Sequence, residues 1–439
     1  MKSLDKIPTG KLERAKSLVK TGAKIGINYA KYYGNKVVSG EEDAKKKLHE
    51  DNASDIYDSL KELKGSALKV AQMLSMENGM LPQEYVERFS LAQFSVPPLS
   101  SALVRKVFRS SLGKNPEEIF DDFTPESVNA ASIGQVHKAK KDERELAVKI
   151  QYPGVRDSIH SDLQLVKPIA MRMFNIPKEG SAEYFNEIED KLYEETDYRL
   201  ELQRGKEISE ACSVIPNLVF PEYHAQWSSE KILTMDWLDG IHLSEIDHSK
   251  IDDETRNKLG QTLWNFYMFQ MHNLRAVQAD PHPGNFLVSK DHQLMAIDFG
   301  CIKVIPEDFY GPYFALSKRE SLDDEQSLIQ TMTELGLFRE DDSAEEKAFL
   351  LNLMQEMLML FGQPFKTEYF DFSDEQFFAD ISKLGQKYSM MSELRSINSN
   401  RGSKHFIYIN RTFFGLYSMM HHLKANHIEI DQYKELIKT

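Results

Sequence analysis

The chain has 439 residues and a mass of 50.6 kDa, enough for two or three domains with substantial cores. Apolar residues make up 41% and charged residues 28%, as in ordinary globular proteins, and the net charge of −14 excludes a general nucleic-acid binder, which needs surplus Lys and Arg. Cys212 and Cys301 lie far apart with no His/Cys cluster beside them, which argues against a disulfide framework or zinc site and for a reducing cytoplasm.

Residues 1–36 depart from the global charge, with nine Lys or Arg against Asp5 and Glu13. Leu12, Ala15, Leu18, Val19, Ile25 and Ile27 recur at roughly helical spacing, so one face is apolar and the other cationic. That pattern suits an interfacial helix drawn to anionic lipid or a solvated helix packed on its own domain, and less well, with one Arg and two acids, a cleaved organelle transit peptide. No stretch offers ~18 uninterrupted apolar residues. The N-terminus also lacks the apolar core of a secretory signal, so neither a spanning helix nor secretion is expected.

From Glu41 to Ala102 the pattern is helical, centred on residues 61–81, where Leu63, Ala67, Leu68, Ala71 and Leu74 line one face. Lys69 and Gln72, three residues apart, fall on one side of that helix and by themselves describe a solvated face. Residues 103–150 change period: a short helix at 103–112, a loop at Asn115-Pro116, a strand near 126–128, a tight loop, a strand at 136–139, a charged turn and a strand at 146–151. The run Ala147-Val148-Lys149 has the form of a kinase third strand, whose lysine points at the α- and β-phosphates. A buried lysine needs a partner, and residues 184–210, read as one acidic helix, offer Glu187, Glu194, Glu195, Asp197 and Glu201 without deciding among them.

Two further strands, joined by a polar turn, are expected at 217–220 and 231–236, the second carrying Met235 and running through Trp237 into Gly240, a sequence suited to a hinge between lobes. An amphipathic helix over 255–274 leads to the stretch 278–300, which holds Asp280, Asn285 five residues on, and Asp-Phe-Gly from Asp298 to Gly300. An aspartate and asparagine at that separation, before an apolar strand ending in Asp-Phe-Gly, describe a phosphoryl-transfer centre. Asp298 and Asn285 carry the hard oxygen donors that magnesium prefers, leaving Asp280 to act as base or to orient the nucleophile. The remainder reads as helices at 322–335, 344–361, 374–388 and 409–422.

With these pieces in one order, the chain resembles the UbiB family of atypical protein-kinase-like proteins, linked to coenzyme Q biosynthesis and lipid homeostasis. Residues 69–72, Lys-Val-Ala-Gln, match the family's Lys-x-Gly-Gln motif with Ala71 for glycine, and residues 129–135, Asn-Ala-Ala-Ser-Ile-Gly-Gln, match its alanine-rich loop with Asn129 for the first alanine. Lys149, the paired Glu195 and Glu201, and the set Asp280, Asn285 and Asp298 match its remaining motifs. Neither departure removes a charged catalytic group.

The resemblance implies an α+β, bilobal protein-kinase-like fold with a helical N-terminal extension laid across the active site. Its parts would be a basic segment at 1–40, the extension at 41–105, a β-rich N-lobe at 106–238 and a helical C-lobe at 239–439. It implies ATP or ADP with Mg2+ as cofactors. Lys149 would orient the phosphates, paired with Glu201, and Glu195 would meet Lys69 or the metal. Ala130, Ala131, Ser132, Ile133, Gly134 and Gln135 would approach the nucleotide, joined by Met235 and Trp237. Asn285 and Asp298 would hold magnesium, Asp280 would act on the nucleophile, and Lys69 with Gln72 would gate the cleft. No Ala-Pro-Glu follows Asp-Phe-Gly, which argues against phosphorylation of protein side chains. The expected partners are the nucleotide, a lipid or quinone-related small molecule and a membrane surface through residues 1–36, with no nucleic acid; the expected place is the cytoplasm, at the inner face of a membrane. Two rivals are a small-molecule phosphotransferase of the aminoglycoside-kinase kind, disfavoured by the alanine-rich loop and residues 61–81, and a nucleotide-sensing scaffold without turnover, disfavoured by Asp280.

Overall fold

The structure, a computed structural model, describes residues 24–32, 40–63, 69, 98–130, 133–173, 181–316, 324–389 and 404–437. Gln72, Ala131, Ser132 and most of the 61–81 segment therefore lie outside the described residues. In chain order, helices α1 (residues 24–32), α2 (Glu41–Leu63) and α3 (Ser101–Leu112) come first. Strands β1 (Asp122–Phe123), β2 (Asn129–Ala130), β3 (Gly134–Lys141) and β4 (Arg144–Gln151) follow. Next are α4 (Val155–Met173), α5 (Ser181–Glu195), α6 (Tyr198–Ala211), β5 (Leu218–Val219), β6 (Ile232–Asp236), β7 (Ile241–His242) and α7 (Asp253–Phe269). Strands β8 (Ala276–Gln278), β9 (Phe286–Val288), β10 (Leu294–Ala296) and β11 (Ile302–Val304) precede helices α8 (Glu307–Ala315), α9 (Glu325–Glu334), α10 (Ala344–Phe361), α11 (Glu375–Ser389) and α12 (Lys404–His422).

Three local expectations need correction. The strand expected near 126–128 is displaced: those residues form bends, and the strand is β2, two residues long, paired with β3. The acidic stretch is two helices, because Asp197 takes the N-cap position of α6 and its Oδ1 accepts hydrogen bonds from Arg199 N at 3.1 Å and Leu200 N at 3.3 Å. The strands at 218–219 and 232–236 are not neighbours: β5 pairs in parallel with β10, and β6 pairs antiparallel with β4. In addition, the helix over 255–274 ends in a π-helical turn at Gln270–Leu274, closed by Arg275 in the left-handed region at φ 52°.

The described residues divide into two compact units, one drawn from Met1–Leu202 and Glu222–Trp237, the other from Gln203–Pro221 and Leu238–Thr439. The first unit is built on a five-stranded antiparallel sheet of order β1-β3-β4-β6, with β2 beside β3. The β3–β4 hairpin closes through Asp142 and Glu143, both at positive φ (49° and 65°), the conformation a two-residue turn needs to match the strand twist. Leu146, Val148 and Ile150 are fully buried on one face of β4. The second unit centres on α7, whose Leu259, Leu263, Trp264, Phe266 and Tyr267 are fully buried. Its described residues also hold small sheets of order β5-β10-β9-β7 and β11-β8, and a two-stranded pairing of Tyr369–Phe370 with Ile428–Glu429. Among the described residues no helix is long and apolar enough to cross a membrane. Cys212 and Cys301 are both buried and are not joined in a disulfide.

Candidate functional site

In the first unit, strand alternation decides which side chains gather. Successive residues of β4 point to opposite faces, so Lys149 shares its face with Ala147 and Gln151, and the register adds Leu233 and Met235 of β6. Lys149 Nζ lies 2.8 Å from Glu201 Oε1 and 3.0 Å from Oε2, and 5.1 Å from the centre of the Tyr198 ring. Both charged side chains are buried, at 10% and 3% exposed, so the pair forms in a medium where charge attraction is strong and an isolated charge costly.

The turn between α5 and α6 holds Glu201 there. Gln151 Nε2 donates to Thr196 O at 2.9 Å, Arg156 donates to Tyr193 O and Thr196 Oγ1, and Tyr198 N donates to Glu230 O at 3.1 Å. At the last residue of α5, directly before that break, Glu195 Oε2 lies 3.2 Å from Lys69 Nζ, again with both side chains buried. Glu195 and Glu201 thus each face a different lysine.

Gly134 opens β3 at a crowded point. A Cβ there would stand 2.6 Å from Ile150 O and 2.7 Å from Tyr198 Oη, so backbone and ring can approach only because the side chain is absent. Ala130 ends β2 and Ile133 is buried, its carbonyl accepting from Tyr152 N. Gln135 differs from the rest of the expected nucleotide set. It pairs with Ile150 and so sits on the face opposite Lys149, fully buried. Its Oε1 accepts from Leu99 N at 2.7 Å and its amide nitrogen lies 2.7 Å from His137 Nε2. His137 Nδ1 faces Thr124 O, which can only accept, so the ring is the Nδ1–H tautomer with Nε2 accepting from Gln135. Burial lowers the His137 pKa, in keeping with a neutral ring. The Gln135 side chain is a core bridge and does not reach the Lys149 face. Met235 is buried on that face, and Trp237 stands beyond it, its N bonded to Glu145 O and its ring under Lys138 Nζ at 4.9 Å.

In the second unit, β8 delivers the chain to Asp280 and the β9–β10 hairpin delivers it to Asp298. Phe286 pairs with Ala296, and the ladder continues through Ile297 N donating to Asn285 O at 3.1 Å, so Asn285 and the residue preceding Asp298 are hydrogen-bonded neighbours. Asn285 Nδ2 donates to Asp280 O at 2.8 Å. Because a carbonyl only accepts, the nitrogen must face Asp280, and Oδ1 is the amide atom left to offer a cation. Asp298 Oδ1 accepts from Gly300 N at 3.0 Å, and Phe299 is fully buried against Phe220 and Phe266. Asn285 and Asp298 together present oxygen donors of the kind magnesium takes, so the residues present fit that ion.

Two residues tie this loop down that no motif had singled out. Gln278, fully interior, accepts at Oε1 from Tyr267 Oη (2.9 Å), donates from Nε2 to Asp298 O, and donates from its backbone N to Gln270 Oε1 (3.1 Å). Burial, reinforced by the charge of Asp280, raises the Tyr267 pKa, so the phenol stays protonated as that donor. The second is Arg411 on α12, whose Nη2 lies 2.6 Å from Asp280 Oδ1. Being 131 positions downstream, it gives no local spacing signal.

Comparison with known proteins shows the family of the chain. Residues 91–332, more than half of the chain, match the ABC1 atypical kinase-like domain. The chain is 30% identical over 286 residues to the chloroplastic protein Activity of BC1 Complex Kinase 8 of Arabidopsis thaliana (62% of this chain, 36% of that one). It is 26% identical over 378 residues to the mitochondrial atypical kinase COQ8 of Saccharomyces cerevisiae (84% of this chain, 74% of that one). It spans about a third to a half of the length of several other curated relatives. Among solved structures, Rv3197 of Mycobacterium tuberculosis, in complex with erythromycin, is 27% identical and superposes with a TM-score of 0.57, covering 90% of this chain and 97% of that one. The chain belongs to the ABC1 atypical kinase-like family, the UbiB family of its sequence motifs, with that family's α+β bilobal kinase-like fold.

Proposed function

We propose that this atypical kinase is a magnesium-dependent ATP-binding phosphotransferase or ATPase that supports isoprenoid-lipid or quinone metabolism at a membrane surface. The observation that carries the reading is the buried Lys149–Glu201 pair on a β-sheet face, the arrangement in which a kinase lysine is held to meet α- and β-phosphates. Lys149 orients the phosphates, Glu201 fixes Lys149, and Met235 and Trp237 line the nucleotide. Backbone N–H groups of residues 130–134 approach the phosphates, and Lys69 with Gln72 and Glu195 governs access.

Asn285 and Asp298 hold magnesium, which when bound neutralises charge on the phosphate oxygens. In the reaction the bond from the γ-phosphorus to its bridging oxygen breaks, a bond to the attacking oxygen of water or a small-molecule hydroxyl forms, and ADP leaves. Asp280 accepts the proton given up by the attacking oxygen. Most of the rate gain comes from positioning and electrostatics, since this chemistry asks little covalent participation from the protein. The membrane part rests on the basic amphipathic pattern of residues 1–36, supported by Ile27 and Tyr29 standing exposed on α1. The quinone link rests on family membership.

The test is ATP turnover by wild type and Asp298→Asn, with and without magnesium. Turnover that needs magnesium and is lost in Asp298→Asn is expected; normal turnover by the variant would overturn the metal assignment. Liposome flotation after deletion of residues 1–36 tests the membrane part, which fails if the truncated chain floats undiminished.

A further inference from the structure

Helix α12 lies outside residues 91–332, the span matched by the kinase-like domain, yet one of its faces runs along the catalytic loop. Tyr408 shares a buried cluster with Ala279 and Cys301. Arg411, one turn on, places Nη2 2.6 Å from Asp280 Oδ1, with both side chains nearly buried. Gly415, one turn further, abuts Pro281 so closely that a Cβ would stand 2.8 Å from both Pro281 Cβ and Pro281 O. Residues 408, 411 and 415 thus follow 279, 280 and 281 in step, at the spacing of a single helix face.

The helix is anchored independently of that ion pair. Tyr417 Oη donates to Phe361 O at 2.9 Å, Tyr313 Oη donates to Asn410 Oδ1 at 2.6 Å, and Tyr417 and Leu416 are buried. Arg411 therefore projects from a fixed rod toward a loop carboxylate. Its rigid planar guanidinium fixes the position of Oδ1 through the Nη2 contact, which the flexible point charge of a lysine would hold less closely.

We infer that Arg411 is a positioning residue for phosphoryl transfer: it fixes Asp280 Oδ1 and so aims the carboxylate at the attacking hydroxyl or water. The inference rests on the phosphoryl-transfer reading given above. It makes a segment beyond the matched domain part of the machinery that sets turnover. A merely structural ion pair would tie helix to loop and affect folding, without changing the turnover of molecules that do fold.

The test uses the full chain, with Arg411→Ala, Arg411→Lys and wild type compared for magnesium–ATP binding and for kcat and KM of ATP hydrolysis. The expected result for Arg411→Ala is unchanged nucleotide affinity and KM with a roughly hundredfold loss of kcat, the scale of a misplaced catalytic group. Partial recovery on adding methylguanidinium is expected as well. Should Arg411→Ala not fold, Arg411→Lys carries the test through an expected drop in kcat of roughly tenfold at unchanged KM. Wild-type kcat in a folded Arg411 variant would overturn the inference alone. Absence of magnesium-dependent ATP binding and turnover in the wild type would contradict the phosphoryl-transfer reading and remove the inference with it.

Discussion

Lys149 and Glu201 meet across 52 positions of sequence, the lysine within hydrogen-bond distance of both carboxylate oxygens and both side chains buried. Removing one partner leaves the other charge buried, so Lys149→Met or Glu201→Leu alone should each cost about 3–5 kcal/mol of stability. The double variant Lys149→Met/Glu201→Leu should recover most of that loss while binding no nucleotide. Urea denaturation of the four proteins of this cycle measures both effects, and additive losses would show that the pair is not coupled.

The crowding at Gly134 gives a second expectation. Gly134→Ala forces a methyl against Ile150 O and the Tyr198 hydroxyl and should cost about 1–3 kcal/mol. Adding Tyr198→Phe removes one of the two obstructing oxygens and should restore part of the loss. Equal stability of Gly134→Ala and Gly134→Ala/Tyr198→Phe in thermal melts would show that the hydroxyl is not the obstacle.

Gln278 links Tyr267 to the backbone of Asp298, so its removal should disturb the aspartate proposed to hold magnesium without touching that side chain. Gln278→Met keeps the side-chain length and deletes both bonds. It should lower stability by about 1–3 kcal/mol for a buried polar group left without its partner. Turnover should fall roughly ten- to hundredfold through misplacement of Asp298. Steady-state kinetics beside melting curves separates the two effects; wild-type turnover would mean that Asp298 is held by other contacts.

His272 should make stability depend on pH. It packs among the rings of Tyr310, Phe314 and Tyr433, its Nδ1 2.7 Å from Tyr310 Oη. Burial, helped by the nearby Arg275 charge, pushes its pKa down from 6.5 to about 4. The folded state thus binds fewer protons than the unfolded one between those values. Its contribution is complete above pH 6.5 and is lost as pH falls toward 4, up to about 3 kcal/mol in all. His272→Phe should flatten that part of the stability–pH curve; an unchanged slope would assign it to other groups.

How much of this was legible in the sequence depends on distance along the chain. The β3–β4 hairpin shows in its alternation and charged turn, and Asp280, Asn285 and Asp298 show because 18 residues of local spacing place them together. The break between α5 and α6 did not show, since the acidic run is compatible with one helix throughout and only Asp197 marks the second N-terminus. The same run could not say which carboxylate meets Lys149, because that is settled by how the break at Thr196 is bonded to Gln151 and Arg156. Gln135 belongs to the alanine-rich motif, yet strand parity turns its side chain into the core. Arg411 left no trace, because nothing local connects position 411 to position 280 until the chain folds.

The most direct measurement is a thermal-shift titration with ATP and ADP, each with and without magnesium, on wild type and Lys149→Ala. A ligand bound only by the folded state stabilises it by mass action, about 2.7 kcal/mol at a hundredfold excess over Kd. The predicted result is a magnesium-dependent rise in Tm for the wild type that vanishes in Lys149→Ala. No rise with either nucleotide in the wild type, or an equal rise in the variant, would contradict a kinase-like nucleotide site built on Lys149.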